Sequence, residues 1–348
     1  NAGLMHPRLK VLLAVVLSIA VINVILNDSV FFSFTSNIVY EGNLQTILEG
    51  ASVSNTTIHN GTRDSTDGLC PLTPPGLVGP IRVWMDGPPM DKLEKLYGCN
   101  TEVHNPPPHC ISRHKVAIVV PYRDRIDQLR IFLHNMHSLL RKQEMDYGIY
   151  IVEQIPDQTF NRAKLMNVGF TEAVKDYSWD CFIFHDVDLL PEDDRNLYSC
   201  PAQPRHMSVA VDKFNYKLPY GSIFGGISAM TKQQVERING FSNDYWGWGG
   251  EDDDLSTRVA LEGFKISRYP SSIARYKMVK HSHESTNKVN PCRYNLMAKT
   301  KRRYKLDGLS NLKYTLMKKD IRPLYTNVLV DLLYDESIKP VKRLVTGC

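Results

Sequence analysis

The sequence predicts an α/β fold with a largely parallel central sheet and helices on both faces. Three short apolar runs, residues 115–121, 147–153 and 181–185, have the length and continuity of buried parallel strands. The segments between them, residues 129–140 and 162–176, carry apolar side chains at helical spacing. Strands that alternate with helices indicate an α/β domain. The chain has 348 residues and is 43% hydrophobic, which is ample material for a core.

The N-terminal segment predicts a membrane anchor. Residues 11–26 are almost wholly apolar, and the apolar character continues far enough for a bilayer span of about 20 residues. A cleaved signal peptide is the alternative, but the small-residue cleavage pattern is missing. Arg8 and Lys10 precede the apolar run, which keeps that end in the cytosol. We therefore expect a cytoplasmic tail (1–10) and a transmembrane signal anchor (11–32), with the remainder lumenal.

The segment that follows the anchor lacks a periodic apolar pattern and predicts a flexible lumenal stem (33–69) before a folded domain (70–348). The stem contains glycosylation sequons at Asn55 and Asn60. The seven cysteines form no CxxC pair, which argues against a zinc ribbon. In an oxidising lumen, a Cys70–Cys110 disulfide would pin the start of the domain.

The charge pattern does not favour nucleic-acid binding. The formal net charge is only +5, and the basic clusters at residues 299–305 and 339–343 belong to no nucleic-acid-binding motif with interleaved aromatic side chains. Solvated helix faces explain both clusters.

Polar side chains follow the first and third predicted strands, where ligands of α/β sheets bind. Asp186 and Asp188 end the third strand, and two carboxylates there favour Mg²⁺ or Mn²⁺ with open positions for phosphate oxygens. The alternative is a pair of aspartates that cap a turn. Arg123 and Arg125 follow the first strand and suit bidentate recognition of a diphosphate. Arg162 is a third candidate for that contact.

Residues 245–254 combine two tryptophans, three glycines and four consecutive acids. The residues after Asp254 have a helical pattern, so the acids would occupy the first turn, where negative charge is favoured. An acidic helix cap would explain the carboxylates but not Trp246 and Trp248. A flexible loop that lays an indole over a ligand explains both features.

Four sequence blocks resemble the signature blocks of the β-1,4-galactosyltransferase family, and they occur in the same order. They are residues 160–169, 182–189, 224–226 and 245–254. The resemblance runs from about residue 70 to residue 331. It implies the GT-A fold and an inverting, Mn²⁺-dependent transfer from a UDP-sugar to the 4-hydroxyl of a terminal β-GlcNAc on a glycoprotein or glycolipid. It also implies a type II protein of the Golgi membrane.

The resemblance assigns roles to individual residues. Asp252 matches the catalytic base, Trp248 the lid tryptophan, and Cys181–Cys200 a second disulfide. The implied Mn²⁺ ligands are Asp188, Met278 and His281. The implied UDP contacts are Pro121, Arg123, Arg125, Phe160, Arg162, Val187, Asp188 and Trp248. The implied sugar contacts are Phe214, Tyr220, Ile223, Glu251, Asp252, Asp253, Arg293 and Tyr294. Of these, Arg293 and Tyr294 match the pocket for the N-acetyl group of the acceptor.

One position departs from the family pattern. Most members have tyrosine before Phe-Gly-Gly, facing C2 of the donor sugar, whereas this chain has Ile223. Isoleucine removes a hydroxyl and leaves an apolar wall for an acetamido methyl, so we predict that UDP-GalNAc is used at least as well as UDP-Gal. The alternative is a neutral replacement in an enzyme that uses UDP-Gal.

Other function classes and assembly states stay open. The chain could be a sugar-binding protein without catalysis, but the retained Asp188, Asp252, Met278 and His281 argue against that. A metal-dependent phosphodiesterase fits the aromatic loop poorly. Cys99, Cys292 and Cys348 fall outside the two predicted disulfides, so at least one is unpaired within the chain. A homodimer through the span or such a cysteine is possible.

Overall fold

The computed structural model describes residues 38–40, 68–98, 102–280 and 287–345. Twelve strands are present in these ranges: β1 Ile38–Tyr40, β2 Lys115–Tyr122, β3 Asp146–Gln154, β4 Cys181–His185, β5 Leu189–Pro191, β6 Arg205–His206, β7 Ala210–Val211, β8 Ile227–Thr231, β9 Ile266–Arg268, β10 Arg275–Met278, β11 Thr315–Ile321 and β12 Thr326–Asp331. The helices are α1 Met90–Tyr97, α2 Ile126–Lys142, α3 Arg162–Asp176, α4 Lys232–Arg237, α5 Glu251–Leu261, α6 Arg293–Met297, α7 Thr300–Arg303 and α8 Tyr334–Leu344. Two 3-10 turns lie at Asp212–Phe214 and Leu309–Asn311.

Nine strands form the main sheet, in the order β1-β9-β6-β8-β4-β2-β3-β12-β11. The pairs β1-β9, β9-β6, β4-β2, β2-β3 and β3-β12 are parallel, whereas β8 and β11 run antiparallel to their neighbours. The predicted largely parallel sheet is therefore confirmed. The predicted strands match β2, β3 and β4 closely, and α3 has the predicted bounds.

The core has one layer on each face of the sheet. Along β2, Val116, Ile118 and Val120 pack into a cluster with the apolar face of α2. The intervening Ala117 and Val119 pack into a second cluster with α3. Because successive side chains of a strand point to opposite faces, one continuous apolar strand serves both layers.

A second sheet of three strands, in the order β5-β10-β7, lies after the end of β4. In the antiparallel β5-β10 pair, Met278 lies opposite Leu189. The Val279 N–H donates to the Asp188 carbonyl over 2.7 Å. This small sheet brings a segment distant in sequence beside Asp188, the residue predicted to bind metal.

The expected anchor (11–32) lies outside the described residues. Within the expected stem, Ile38–Tyr40 forms β1 and pairs in parallel with β9 at one edge of the main sheet. Among the helices of the described ranges, none combines the length and apolar character that a membrane crossing requires.

Both predicted disulfides are present, with Cα atoms 4.9 Å apart for Cys70–Cys110 and 5.4 Å apart for Cys181–Cys200. The first joins residues at the start of the folded domain, as expected. Cys292 is also disulfide-bonded.

Candidate active site

The side chain of Arg162 joins three acids at the carboxyl end of the main sheet. Its Nε donates to Asp186 Oδ1 over 2.7 Å, and its Nη1 donates to Asp252 Oδ1 over 2.9 Å. Glu251 Oε1 lies 3.7 Å from the same Nη1. Arg162 was expected to contact the diphosphate of a nucleotide sugar. In the structure its guanidinium holds Asp186, which follows β4, and the acids of α5 together, and the charge-assisted contacts fix their orientation. The diphosphate contact of Arg162 stays a prediction.

The acids of the aromatic loop begin a helix, as the sequence predicts. Gly250 precedes α5 with a φ of +94°, a conformation that favours glycine, and Glu251 to Asp254 form the first turn. Asp252 Oδ2 faces Gly225, where an added Cβ would lie only 2.2 Å from that oxygen. The Asp252 carboxylate therefore lies between the Arg162 guanidinium and the backbone of Gly225, which has no side chain.

The space lined by Arg162, Asp186, Glu251 and Asp252 is the cleft of the candidate site, and Glu251 is the most buried of its acids, with 8% of its surface exposed. Its Oε2 is buried and, among the described residues, has no hydrogen-bond partner. Burial raises the pKa of the Glu251 carboxyl from 4.5 to about 8, and the charge of Asp252 adds to the rise while Arg162 opposes it. An unpaired buried polar atom in a cleft suits a ligand hydroxyl.

The raised pKa of Glu251 predicts a pH dependence of stability. Between pH 4.5 and about 8 the folded state keeps a proton that the unfolded state loses, so the free energy of unfolding falls as pH rises. Thermal melts at about pH 5 and about pH 8.5 should show a smaller loss for Glu251→Gln than for the wild-type protein. Glu236→Gln, at an exposed position on α4, is the control. Equal losses in wild type and Glu251→Gln would contradict the assignment.

The predicted nucleotide contacts lie at the end of β2 and the start of α3. Arg123 is buried, and its Nη1 donates to the Gln158 carbonyl over 2.6 Å. Its Cζ lies 4.9 Å from the centroid of the Phe160 ring. Arg125 precedes α2 and is partly buried, while Pro121 lies near the end of β2 and Val187 follows β4, and both are buried. The structure thus groups these residues at one edge of the sheet.

Two of the three predicted metal ligands, Asp188 and Met278, lie within the described residues and on neighbouring segments. Asp188 is buried, and Met278 is partly buried on the strand that pairs beside it. The Met278 N–H donates to Asp212 Oδ1 over 2.9 Å, which fixes the strand end. His281 lies outside the described residues. A carboxylate and a thioether form a mixed hard and soft donor set that fits Mn²⁺ better than Mg²⁺.

Tyr220 connects the segment that carries Ile223 to the start of α5. The Tyr220 hydroxyl donates to Asp253 Oδ1 over 2.9 Å. Three residues later, Ile223 is half-buried, and its carbonyl accepts from Arg268 Nη2 over 2.6 Å. Phe214 is exposed on the 3-10 turn that also carries Asp212. The Ile223 backbone is therefore fixed by Arg268, and its segment reaches α5 through Tyr220.

The aromatic loop, residues 245–250, has a fixed beginning and an exposed end. Trp246 is 5% exposed, whereas Trp248 is 55% exposed. The Gly247 N–H donates to the Phe160 carbonyl over 2.8 Å, which ties the loop to the nucleotide side. The Trp248 N–H donates to the Lys288 carbonyl over 2.9 Å. Only the second tryptophan is therefore placed to cover a ligand.

The acceptor candidates on α6 lie against this loop. An added Cβ on Gly250 would lie 2.9 Å from the Arg293 Cβ. The Arg293 Cζ lies 4.6 Å from the centroid of the exposed Tyr294 ring. The glycine therefore permits a close approach between the loop and α6.

Sequence reasoning missed the role of Asp254. Its side chain turns away from the cleft, where Oδ1 accepts from Arg258 Nε over 2.5 Å and Oδ2 accepts from Thr300 Oγ1 over 2.5 Å. Arg258 also donates to Asp307 Oδ2 over 3.0 Å. The spacing of Asp254 and Arg258 by four residues was an available signal for this ion pair. No such spacing in the sequence indicated the contacts with Thr300 and Asp307.

The comparisons with known proteins identify the family. The family model for the N-terminal region of glycosyl transferase group 7 matches residues 70–201, and the model described as the N-terminal domain of galactosyltransferase matches residues 205–282. Mouse β-1,4-galactosyltransferase 2 is 48% identical over 266 residues, covering 76% of this chain and 72% of the relative. Human β-1,4-galactosyltransferase 3 is 48% identical over 268 residues, covering 76% of this chain and 68% of the relative.

Solved structures show the same fold. The catalytic domain of Drosophila β-1,4-galactosyltransferase 7 with xylobiose is similar with a TM-score of 0.54 and 31% identity, covering 63% of this chain and 94% of that one. A mutant of that enzyme, in complex with manganese, UDP-Gal and xylobiose, has a TM-score of 0.54 and 30% identity over the same shares. The fold is thus GT-A, and the chain belongs to the glycosyltransferase group 7 family of β-1,4-galactosyltransferases.

Proposed function

We propose that this protein is an inverting, Mn²⁺-dependent β-1,4-galactosyltransferase that moves galactose from UDP-Gal to the 4-hydroxyl of a terminal β-GlcNAc. The observation that carries the proposal is the placement of Asp252. Its carboxylate lies on Arg162 at the start of α5, between the strand ends that carry Asp186 and the loop that carries Trp248. The relatives with 48% identity are β-1,4-galactosyltransferases, which supports galactose as the transferred sugar.

The reaction follows from the roles of the side chains. Asp252 accepts the proton of the acceptor hydroxyl as that oxygen attacks the anomeric carbon from the face opposite UDP. One such displacement converts an α-linked donor into a β-linked product. Arg162 orients the Asp252 carboxylate, while Tyr220 orients Asp253 toward a sugar. A Mn²⁺ ion held by Asp188, Met278 and His281 would neutralise charge on the departing diphosphate.

Water is the competing nucleophile, and the aromatic loop is suited to exclude it. Trp248 is exposed at the end of a loop in which Gly247, Gly249 and Gly250 all have positive φ. Closure of this indole over bound donor would limit hydrolysis. A phosphodiesterase would instead release UDP without an acceptor, so acceptor-dependent release of UDP separates the two functions.

Transfer of GalNAc is a second candidate, and Ile223 favours it. The side chain is half-buried, and its backbone is fixed by Arg268 in the segment that reaches Asp253 through Tyr220. An apolar side chain here leaves room for the acetamido group of UDP-GalNAc, whereas the tyrosine of most family members would crowd it. One position thus governs donor choice in this proposal.

Steady-state kinetics with UDP-Gal and UDP-GalNAc test the donor assignment. We expect the wild-type protein to use both donors, and Ile223→Tyr to lower kcat/KM for UDP-GalNAc by roughly 10–100-fold with little change for UDP-Gal. Ile321→Tyr, at an exposed position on β11, is the matched control. Strong preference of wild type for UDP-Gal, unaltered in Ile223→Tyr, would leave galactosyl transfer as the sole activity.

We also propose that the enzyme acts in the Golgi lumen as a type II membrane protein. The apolar run at residues 11–26 and its basic flank support an anchor, and the two disulfides suit an oxidising compartment. In membrane vesicles, we expect the catalytic domain to resist protease until detergent is added. Digestion of the domain in intact vesicles would exclude this topology.

A further inference from the structure

The C-terminal helix α8 packs against the fixed beginning of the aromatic loop. The Tyr334 ring meets the Trp246 ring edge-on, with centroids 4.9 Å apart. The second half of α8 packs into one buried cluster. Its members are Tyr245 of the loop, Cys292 and Leu296 at α6, and Val341 and Val345 at the end of α8. One helix thus supports both the loop and the candidate acceptor helix from behind.

Lys164 on α3 bonds to the start of α8. It is 2% exposed, and its Nζ donates to the Leu332 carbonyl over 2.5 Å and to Ser337 Oγ over 2.8 Å. The same Nζ lies 5.6 Å from the centroid of the Trp246 ring. A buried cation is costly unless it is bonded, so these contacts fix its position. The proposed reaction gives this lysine no direct role.

The turn into α8 is also linked to the nucleotide side. Gln158, whose carbonyl accepts from Arg123, donates through Nε2 to Asp331 Oδ1 over 3.2 Å. That Oδ1 also accepts from the Leu333 N–H over 2.8 Å. Leu333 has a φ of +54°, in the left-handed region that leucine rarely adopts. Such a conformation persists only where its surroundings hold it.

The far end of α8 is fixed by a second lysine. Lys299, between α6 and α7, donates to the Leu344 carbonyl. A cation at the C-terminus of a helix is electrostatically favourable. The end of α8 is thus bonded to the segment that follows α6, whereas its start is bonded to α3.

We propose that α8 is the positioning element of the acceptor side, with Lys164 as its positioning residue. It holds Tyr245, Trp246 and α6 in place, so that movement is confined to the later part of the aromatic loop, which carries Trp248. The inference rests on the proposed glycosyltransferase function, and it concerns binding of the sugar acceptor rather than the chemical step.

Kinetics and hydrogen exchange on Lys164→Met and Tyr334→Ala test the inference. Each change should raise the KM for a β-GlcNAc acceptor by roughly tenfold and leave the KM for the UDP-sugar within about twofold. Amide exchange should become faster in residues 245–250 and 293–297, but not in residues 116–122. Lys175→Met is the matched control, because Lys175 lies on the same helix with its side chain 57% exposed.

Three results would overturn the inference: equal changes in both KM values, faster exchange throughout the sheet, or no change in either measurement. Tyr334→Ala decides the question if Lys164→Met does not fold. If wild type transfers no sugar from any UDP-sugar, the proposed function fails. The exchange pattern would still decide whether α8 holds the loop and α6.

Discussion

Replacement of Asp252 by asparagine is expected to lower kcat by roughly 10²–10⁴-fold, because the acceptor hydroxyl loses its general base. The amide oxygen can still accept a hydrogen bond from Arg162, whose Nη1 lies 2.9 Å from Asp252 Oδ1 in the wild-type protein. The substituted side chain should therefore keep the geometry but not take up the proton. Acceptor and UDP-sugar KM values should change far less than kcat, measured with Mn²⁺ present.

Asp335→Asn is the matched control for this experiment. Asp335 is the second residue of α8, as Asp252 is the second residue of α5, but it is exposed to solvent. Thermal unfolding of both variants separates loss of catalysis from loss of fold. Retention of most of the wild-type kcat in Asp252→Asn would exclude Asp252 as the base.

Replacement of Arg258 by methionine is expected to destabilise the protein by about 3–5 kcal/mol, because it breaks the buried ion pairs of Asp254 and Asp307 with one of their two cations and leaves Arg303 as the other. Arg258 and Asp254 have no exposed side-chain surface, and their ion pair measures 2.5 Å. Asp307 would lose a contact of 3.0 Å as well. Methionine keeps much of the side-chain volume, so the loss reflects charge more than a cavity. The free energy of unfolding in urea measures it.

Arg237→Met serves as the comparison for the buried arginine. Arg237 pairs with Glu262 over 3.1 Å, but its side chain is 58% exposed. Surface ion pairs contribute about 0–1 kcal/mol, so this change should be small. A cost for Arg258→Met no greater than that of Arg237→Met would show that the buried network does not hold α5.

Much of the fold could be predicted because its signals are local. The apolar run of β2 and the helical spacing of α3 each occur within one element, and the order of elements then indicates a parallel sheet. The strand β10 carried no comparable signal. Its partners β5 and β7 lie far away in the chain, and its short run of partly polar residues became a strand only through pairing.

The site was predicted only where its signals are local. Asp188 and Arg123 follow strands, so their place at the sheet edge could be inferred. Met278 looks like a core residue in the sequence, and only the family resemblance marked it as a ligand. Arg162 was assigned to a phosphate because its charge was visible in the sequence. Its ion pairs with Asp186 and Asp252 were not visible there, because they join residues that are distant in the chain.

The sequence by itself determined the succession of β2, α2, β3, α3 and β4, the family blocks, and the acidic first turn of α5, since each depends on neighbouring residues. Tertiary structure decided which of two neighbouring residues of the same type is buried and which one faces the site. Trp246 is buried under α8 whereas Trp248 is exposed, and Asp254 turns inward whereas Asp252 faces the cleft. These differences depend on contacts with α8, α7 and α3, and the docking of distant segments is not encoded in any local pattern.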